Sequence, residues 1–140
     1  MAAPTLDIVM EYLRDQVFTG SDGVNLRTWL GGNYINTPVA PAGWTNSHKA
    51  IIVHEEVGAP HETGATDSGT IVAKCYGGSA SYEAARDVAN ALRAYLHNAR
   101  GKETASGSLM SAHEINRFQG PPEEDTGWPV MITKYSVVTE

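Results

Sequence analysis

A single cysteine, Cys75, is all that 140 residues contain. That excludes an intramolecular disulfide and any multi-cysteine metal site, and it suits a reducing compartment. Basic runs are missing as well. Ten Lys and Arg stand singly along the chain against sixteen Asp and Glu, for a net charge of −6. Phosphates are neutralised by clustered cations, so no sequence-specific nucleic-acid surface is expected. No apolar run approaches the roughly 20 residues that span a bilayer. Residues 1–16, MAAPTLDIVMEYLRDQ, lack the basic start of a secretory signal and reach Asp7 and Glu11 early. The expectation is a soluble protein made in the cytoplasm, with no membrane partner. Internal repeats and low-complexity tracts are absent too.

What is present fits one domain, 1–140. A chain of this length buries roughly 68–70% of its unfolded surface without metal or disulfide. Fourteen Gly and seven Pro call for several real loops. Thr5 can cap a helix whose apolar positions Leu6, Val9, Met10, Leu13 and Val17 share one face. Asp7 and Glu11 sit near its positive end, and Gly20 to Gly23 stop it. Between residues 24 and 49 the pattern weakens to a short turn at 27–30 and a short edge strand at 33–36. A Pro/Gly loop comes next, in which Trp44 packs back on the body.

Residues 50–57, AIIVHEEV, alternate as a strand with a wetter end. Residues 58–69, GAPHETGATDSG, form a long excursion, and ordered loops of that length in small domains tend to be functional. Residues 69–100 then run from an alternating strand (70–76) through Gly77-Gly78 into an amphipathic helix. Ser79 or Ser81 caps it. Ala84, Ala85, Val88, Ala91, Leu92, Tyr95 and Leu96 form its apolar stripe, and Gly101 is its expected C-cap. Residues 109–118, LMSAHEINRF, suit either a helix or a strand, and the breakers on both sides favour a strand. After the polar loop 120–127 comes the last strand, within 128–138, with Pro129 at its start. The expected fold is α+β: a mostly antiparallel sheet of four to five strands with two helices on one face, in the order α-β-β-α-β-β.

The chemistry-bearing residues form no convincing catalytic set. Gly77-Gly78-Ser79-Ala80-Ser81 sits where a nucleophile elbow would, but the final glycine of G-x-S-x-G is missing. A small serine hydrolase using Ser79 is therefore a weaker reading than a glycine turn with a serine cap. The same turn matches neither phosphate-loop pattern. His54-Glu55-Glu56 and His61-Glu62 lack the H-E-x-x-H spacing, and alternation puts Glu55 across the strand from His54 and Glu56. The five histidines lie on different segments, so no metal and no cofactor is expected. Cys75, in a strand, reads as a small buried hydrophobe. A third reading is a ligand-binding module with a pocket lined by Trp44, Trp128 and Tyr135.

The order of features carries more. An N-terminal helix, a Gly/Pro-rich stretch, AIIVHEEV, a polar loop, TIVAKCYGGSASYEAARDVANALRAYL and a final WPVMITKYSVV together resemble the tail terminator (tail completion) proteins of long-tailed bacteriophages and related gene-transfer particles. The most specific part is the strand, short turn and Ala-rich helix, here Glu83-Ala84-Ala85-Arg86-Asp87-Val88-Ala89-Asn90-Ala91-Leu92-Arg93. The resemblance implies a non-enzymatic virion protein, assembled in the host cytoplasm. It would form a homohexameric ring on the head-proximal end of the tail tube, stop tube polymerisation and dock the head's connector or stopper proteins. DNA would pass through the lumen, which a negatively charged protein suits because it repels the polyanion. A head-closure or neck protein is the close alternative. On this reading the loops 58–69, 98–107 and 120–127 reach neighbouring subunits or axial partners. Their candidate contact residues are Pro60, His61, Glu62, Thr63 and Asp67; Arg100, Lys102 and Glu103; and Glu123, Glu124 and Asp125.

Overall fold

The computed structural model of the chain describes residues 5–14, 26, 30, 35–36, 49–56, 67–78, 81–120 and 129–139. In chain order these hold α1 (Thr5–Arg14), β1 (Ile35–Asn36), β2 (Lys49–Glu56), β3 (Asp67–Gly77), α2 (Tyr82–Leu96), β4 (Arg100–Thr104), β5 (Gly107–Gln119) and β6 (Met131–Thr139). Leu30 N–H also donates to the Leu26 carbonyl at 3.0 Å, one helical turn.

The strands make one sheet in the order β1-β2-β3-β6-β5-β4, with β1 parallel to β2 and every other pair antiparallel. Composition explains the order. β3 is apolar on both faces, with Ile71, Ala73 and Cys75 on one side and Val72 and Tyr76 on the other, all buried. A strand of that kind belongs in the middle of a sheet. β6 alternates without a break, burying Met131, Thr133, Tyr135, Val137 and Thr139, and it takes the other central place. β4, RGKET, has no apolar residue and stands at an edge, as does the two-residue β1.

Both helices cover the same face. Ile8, Val9, Tyr12 and Leu13 of α1 and Ala85, Val88, Leu92, Tyr95 and Leu96 of α2 join Ile51, Val53, Ile71, Tyr135 and Val137 in one core. Each fully buried aliphatic side chain there contributes roughly 1.5–3 kcal/mol. The two helices are tied by a reciprocal pair: Tyr12 OH donates to the Tyr95 carbonyl (2.7 Å) and Tyr95 OH to the Tyr12 carbonyl (3.1 Å), with ring centroids 4.8 Å apart. Burial pushes the Tyr12 hydroxyl up to about 12, so it stays a donor.

The α+β reading and the α-β-β-α-β-β order hold; β1 falls within the short edge strand expected at 33–36, and the unexpected edge strand β4 brings the sheet to six strands instead of four to five. Three local expectations change. Residues 98–107 are not a free loop, because 100–104 form β4 and hairpin with β5. The left-handed position after α2 is Asn98 (φ 65), not Gly101, which lies inside β4 with φ 61. Asn tolerates that conformation, and here its N–H donates to the Ala112 carbonyl at 2.7 Å. The segment expected to loop as far as residue 69 already enters β3 at Asp67.

The glycine turn before α2 has two distinct jobs. Gly78 supplies a positive φ of 75. Gly77 makes room: a Cβ there would meet backbone atoms of Ala84 and Ala85 at 2.3 and 2.4 Å. Ser81, rather than Ser79, is the cap, its Oγ accepting from Glu83 N–H at 3.1 Å.

Candidate functional site

The sheet has two ends, and the described candidate contact residues lie toward one of them. Asp67 pairs with Thr139, Thr139 with Leu109 and Leu109 with Lys102, so these four stand in one row across four strands. Glu103 pairs with Ser108 beside it, and Arg100 with Ser111 toward the middle of β5. Residues 57–66 join β2 to β3 at this end, and the 104–107 turn closes the β4–β5 hairpin there. Residues 121–128 join β5 to β6 at the opposite end, beyond the row Gln119–Met131–Cys75–Ile51. The fold thus gathers Asp67, Arg100, Lys102 and Glu103 toward one end. Pro60, His61, Glu62, Thr63, Glu123, Glu124 and Asp125 lie outside the described residues.

Glu11 of α1 fixes the hairpin turn, its carboxylate accepting from Thr104 Oγ1 (3.1 Å) and Ser106 N–H (3.0 Å). A charged acceptor on a turn amide is among the stronger protein hydrogen bonds. The orientation of that end of the sheet is therefore set by a helix, not left to a loop.

The face of the sheet away from the helices is divided differently. Toward β2, Ala50, Ile52, Tyr76 and Val130 form a second small buried cluster. Toward β5, Phe118 faces Ile132 but stays 41% exposed. Met110 (39%) and Ile115 (51%) are the extra residues at two bulges in β5, between Leu109 and Ser111 and between Glu114 and Asn116. These three are the exposed large hydrophobics among the described residues. Apolar side chains collected along one strand mark an interaction surface better than scattered ones do.

Under the second bulge sits an ionic network that ties β5 to α2. Glu114 Oε2 accepts from Arg117 Nη2 (3.0 Å) and from the hydroxyl of Tyr135 (3.3 Å), and Arg93 Nε stands 3.7 Å from Oε1. Arg117 also donates to Asn90 Oδ1 and to the Ala89 carbonyl. Burial first, and the Glu114 carboxylate second, hold the Tyr135 hydroxyl well above the usual phenol range. Tyr135 is thus a buried donor rather than the wall of an open pocket; Trp44 and Trp128 lie outside the described residues.

Cys75 is buried, and desolvation pushes its thiol up to about 12, the opposite of a nucleophile's environment. On the open face His54 pairs across to Val72; burial, followed by the charge of Lys74, lowers its pKa. Glu56 reaches Lys134 at 3.3 Å, and Glu55 is exposed. No three His, Cys, Asp or Glu side chains converge among the described residues. Ser79 lies outside them.

Sequence reasoning missed Met110, Ile115 and Phe118 as a set, and the Glu114–Arg117–His97 cluster. A signal existed: Leu109, Ala112, Glu114 and Arg117, which share a face, are spaced 3, 2 and 3 apart, and a bulge is what turns a strand's 2 into a 3.

No protein-family model and no curated protein sequence matches this chain. Among solved structures, one similar chain belongs to the "Virion of native gene transfer agent (GTA) particle". The two share 16% identity and superpose with a TM-score of 0.69, over 99% of this chain and 100% of that one. At that identity the likeness is one of fold.

Proposed function

We propose that this protein is a structural component of a phage-like or gene-transfer virion, and specifically the tail terminator: a non-enzymatic ring at the head-proximal end of the tail tube. The observation that carries the reading is the end-to-end match in fold with a chain of a gene transfer agent virion, where each chain covers the other almost completely.

The molecule's own features support it. A ring closes through heterologous contacts, in which one patch of a subunit meets a different patch on the next. The bulged β5 face supplies an apolar patch and the polar edge strand β4 a different one. Connections leave the sheet at both ends, as a joint between tube and head requires. The net charge of −6 suits a channel that DNA crosses without sticking.

Purified protein mixed with tail tubes and imaged by electron microscopy tests this. Rings of about six subunits on one end of each tube are the expected result; uncapped tubes with a protein that stays monomeric would overturn it. Rings that bind isolated connectors but never tubes would instead identify a neck protein. Replacing residues 60–66 by a short Gly/Ser linker, with Asp67 kept as the start of β3, should leave a folded subunit that no longer caps.

A further inference from the structure

We infer that His97 is a pH-sensitive latch that holds the bulged half of β5 against α2 only while its imidazole is neutral. His97 is the C-cap of α2. Its Nδ1 accepts the main-chain N–H of Glu114 at 2.9 Å, at the residue immediately before the extra residue of the second bulge, Ile115. A neutral imidazole has one N–H and one bare nitrogen, so acceptance at Nδ1 places its proton on Nε2. Imidazolium carries a proton on both nitrogens, and two N–H groups at this distance repel. The bond therefore exists at the pH where the ring is neutral and is lost as pH falls and the ring takes up a proton.

This contact has no substitute in the ladder. β4 pairs with β5 only as far as Ser111, and the Asn98 and Ala99 main chain covers Ala112. From Glu114 onward the outer edge of β5 meets the side chain of His97 and then, at Arg117 N–H, the Asn116 carboxamide. One titratable ring thus stands between the end of the regular edge and the segment that presents Ile115 and Phe118. Several charges bear on it. Arg93 lies one turn back on α2, and it and Arg117 of β5 both reach the Glu114 carboxylate. Arg100 opens β4 opposite Ser111, and His113 is exposed on the opposite face of the sheet. Opening leaves the Glu114 side chain with Arg117 and Tyr135, so the change is local to the amide and the bulge, not global.

The test is hydrogen exchange by NMR on the intact chain, with the Ala112 amide, which donates to the Ala99 carbonyl, as an internal reference. Between pH 8 and pH 5, the window in which histidines change charge, protection of the Glu114 amide should fall at least tenfold relative to Ala112. Long-range ¹H–¹⁵N spectra at pH 8 should show the proton of His97 on Nε2. His97→Asn, whose Oδ1 can replace Nδ1 as an acceptor but does not titrate, should keep Glu114 protected at both pH values. His97→Phe should remove the protection at both. A ring protonated on Nδ1 at pH 8, a Glu114/Ala112 ratio unchanged with pH, or the same pH-dependent loss in His97→Asn would each overturn the latch. The wild-type tautomer and ratio decide the matter even if a variant does not fold.

Discussion

The β2–β3 and β5–β6 pairs are both long antiparallel ladders in one sheet, yet they are built differently. β2 and β3 pair one to one without interruption, from Lys49 opposite Gly77 to Glu56 opposite Thr70. From residue 50 to 53 both faces of that ladder are buried: Ile51 and Val53 under the helices, Ala50, Ile52 and Tyr76 on the other side. β5 loses register with β6 twice; around the second shift the helix-side positions are filled by the Glu114 carboxylate and the Arg117 guanidinium, while Ile115 and Phe118 face solvent. A regular ladder keeps every second side chain on one face and so can be packed solid. Each bulge swings one residue out of phase, bends the strand and exposes the residues just beyond it. The regular half is built as scaffold and the bulged half as surface.

The largest expected effect strikes the regular half. Gly77→Ala would drive a Cβ into the main chain of α2, which no side-chain rotation relieves, and should cost about 3 kcal/mol or more in urea denaturation. A cost below about 1 kcal/mol would mean that α2 slides freely over β3. Next, Ile52 and Phe118 lie on the same face of the sheet but in different halves. Ile52→Ala should cost about 2–4 kcal/mol, against about 1 kcal/mol or less for Phe118→Ala. Equal costs would erase the distinction between scaffold and surface.

Smaller again, Glu114→Ala leaves the fully buried Tyr135 hydroxyl without its acceptor and should cost about 2 kcal/mol, measured the same way. Tyr135→Phe added to it should recover part of the loss, and simple additivity of the two would show that they do not act as a pair. The smallest effect belongs to pH. The pKa of His54 is lowered in the folded state by burial and by Lys74, so its neutral form is the stable one there. That contribution is full above the ordinary histidine range and is lost as pH falls toward the lowered value. His54→Asn should flatten the stability profile slightly on the acid side of neutrality, and an unchanged profile would remove His54 from the account.

The regular half was legible in the sequence and the bulged half was not. AIIVHEEV and TIVAKCY alternate with period 2, and the structure keeps that period without a shift from residue 50 to 56 and from 70 to 76. LMSAHEINRF suits a helix as well as a strand because its core-side residues fall 3, 2 and 3 apart, a spacing that two bulges share with a helical turn. Residues 100–104 read as loop because RGKET has nothing to bury. An edge strand needs only backbone hydrogen bonds from a neighbour, and Gly107–Ser111 provides them. The helix end was misplaced because glycine is the common left-handed residue, whereas Asn98 takes that role with support from Ala112, a residue fourteen positions later.

The sequence alone therefore determined helix α1, most of the apolar stripe of α2, the strands β2, β3 and β6, the α+β class and the glycine pair before α2, all set by interactions within a few residues; Ile8 and Tyr12, outside the stripe expected for α1, are buried in the core. Tertiary structure decided which end of the sheet each connection leaves from, and that Gly77 serves helix packing as well as the turn. It also decided that Met110, Ile115 and Phe118 share an exposed strand, and that His97 meets Glu114. These depend on pairing between residues distant in sequence, and register along a ladder cannot be read from either strand alone.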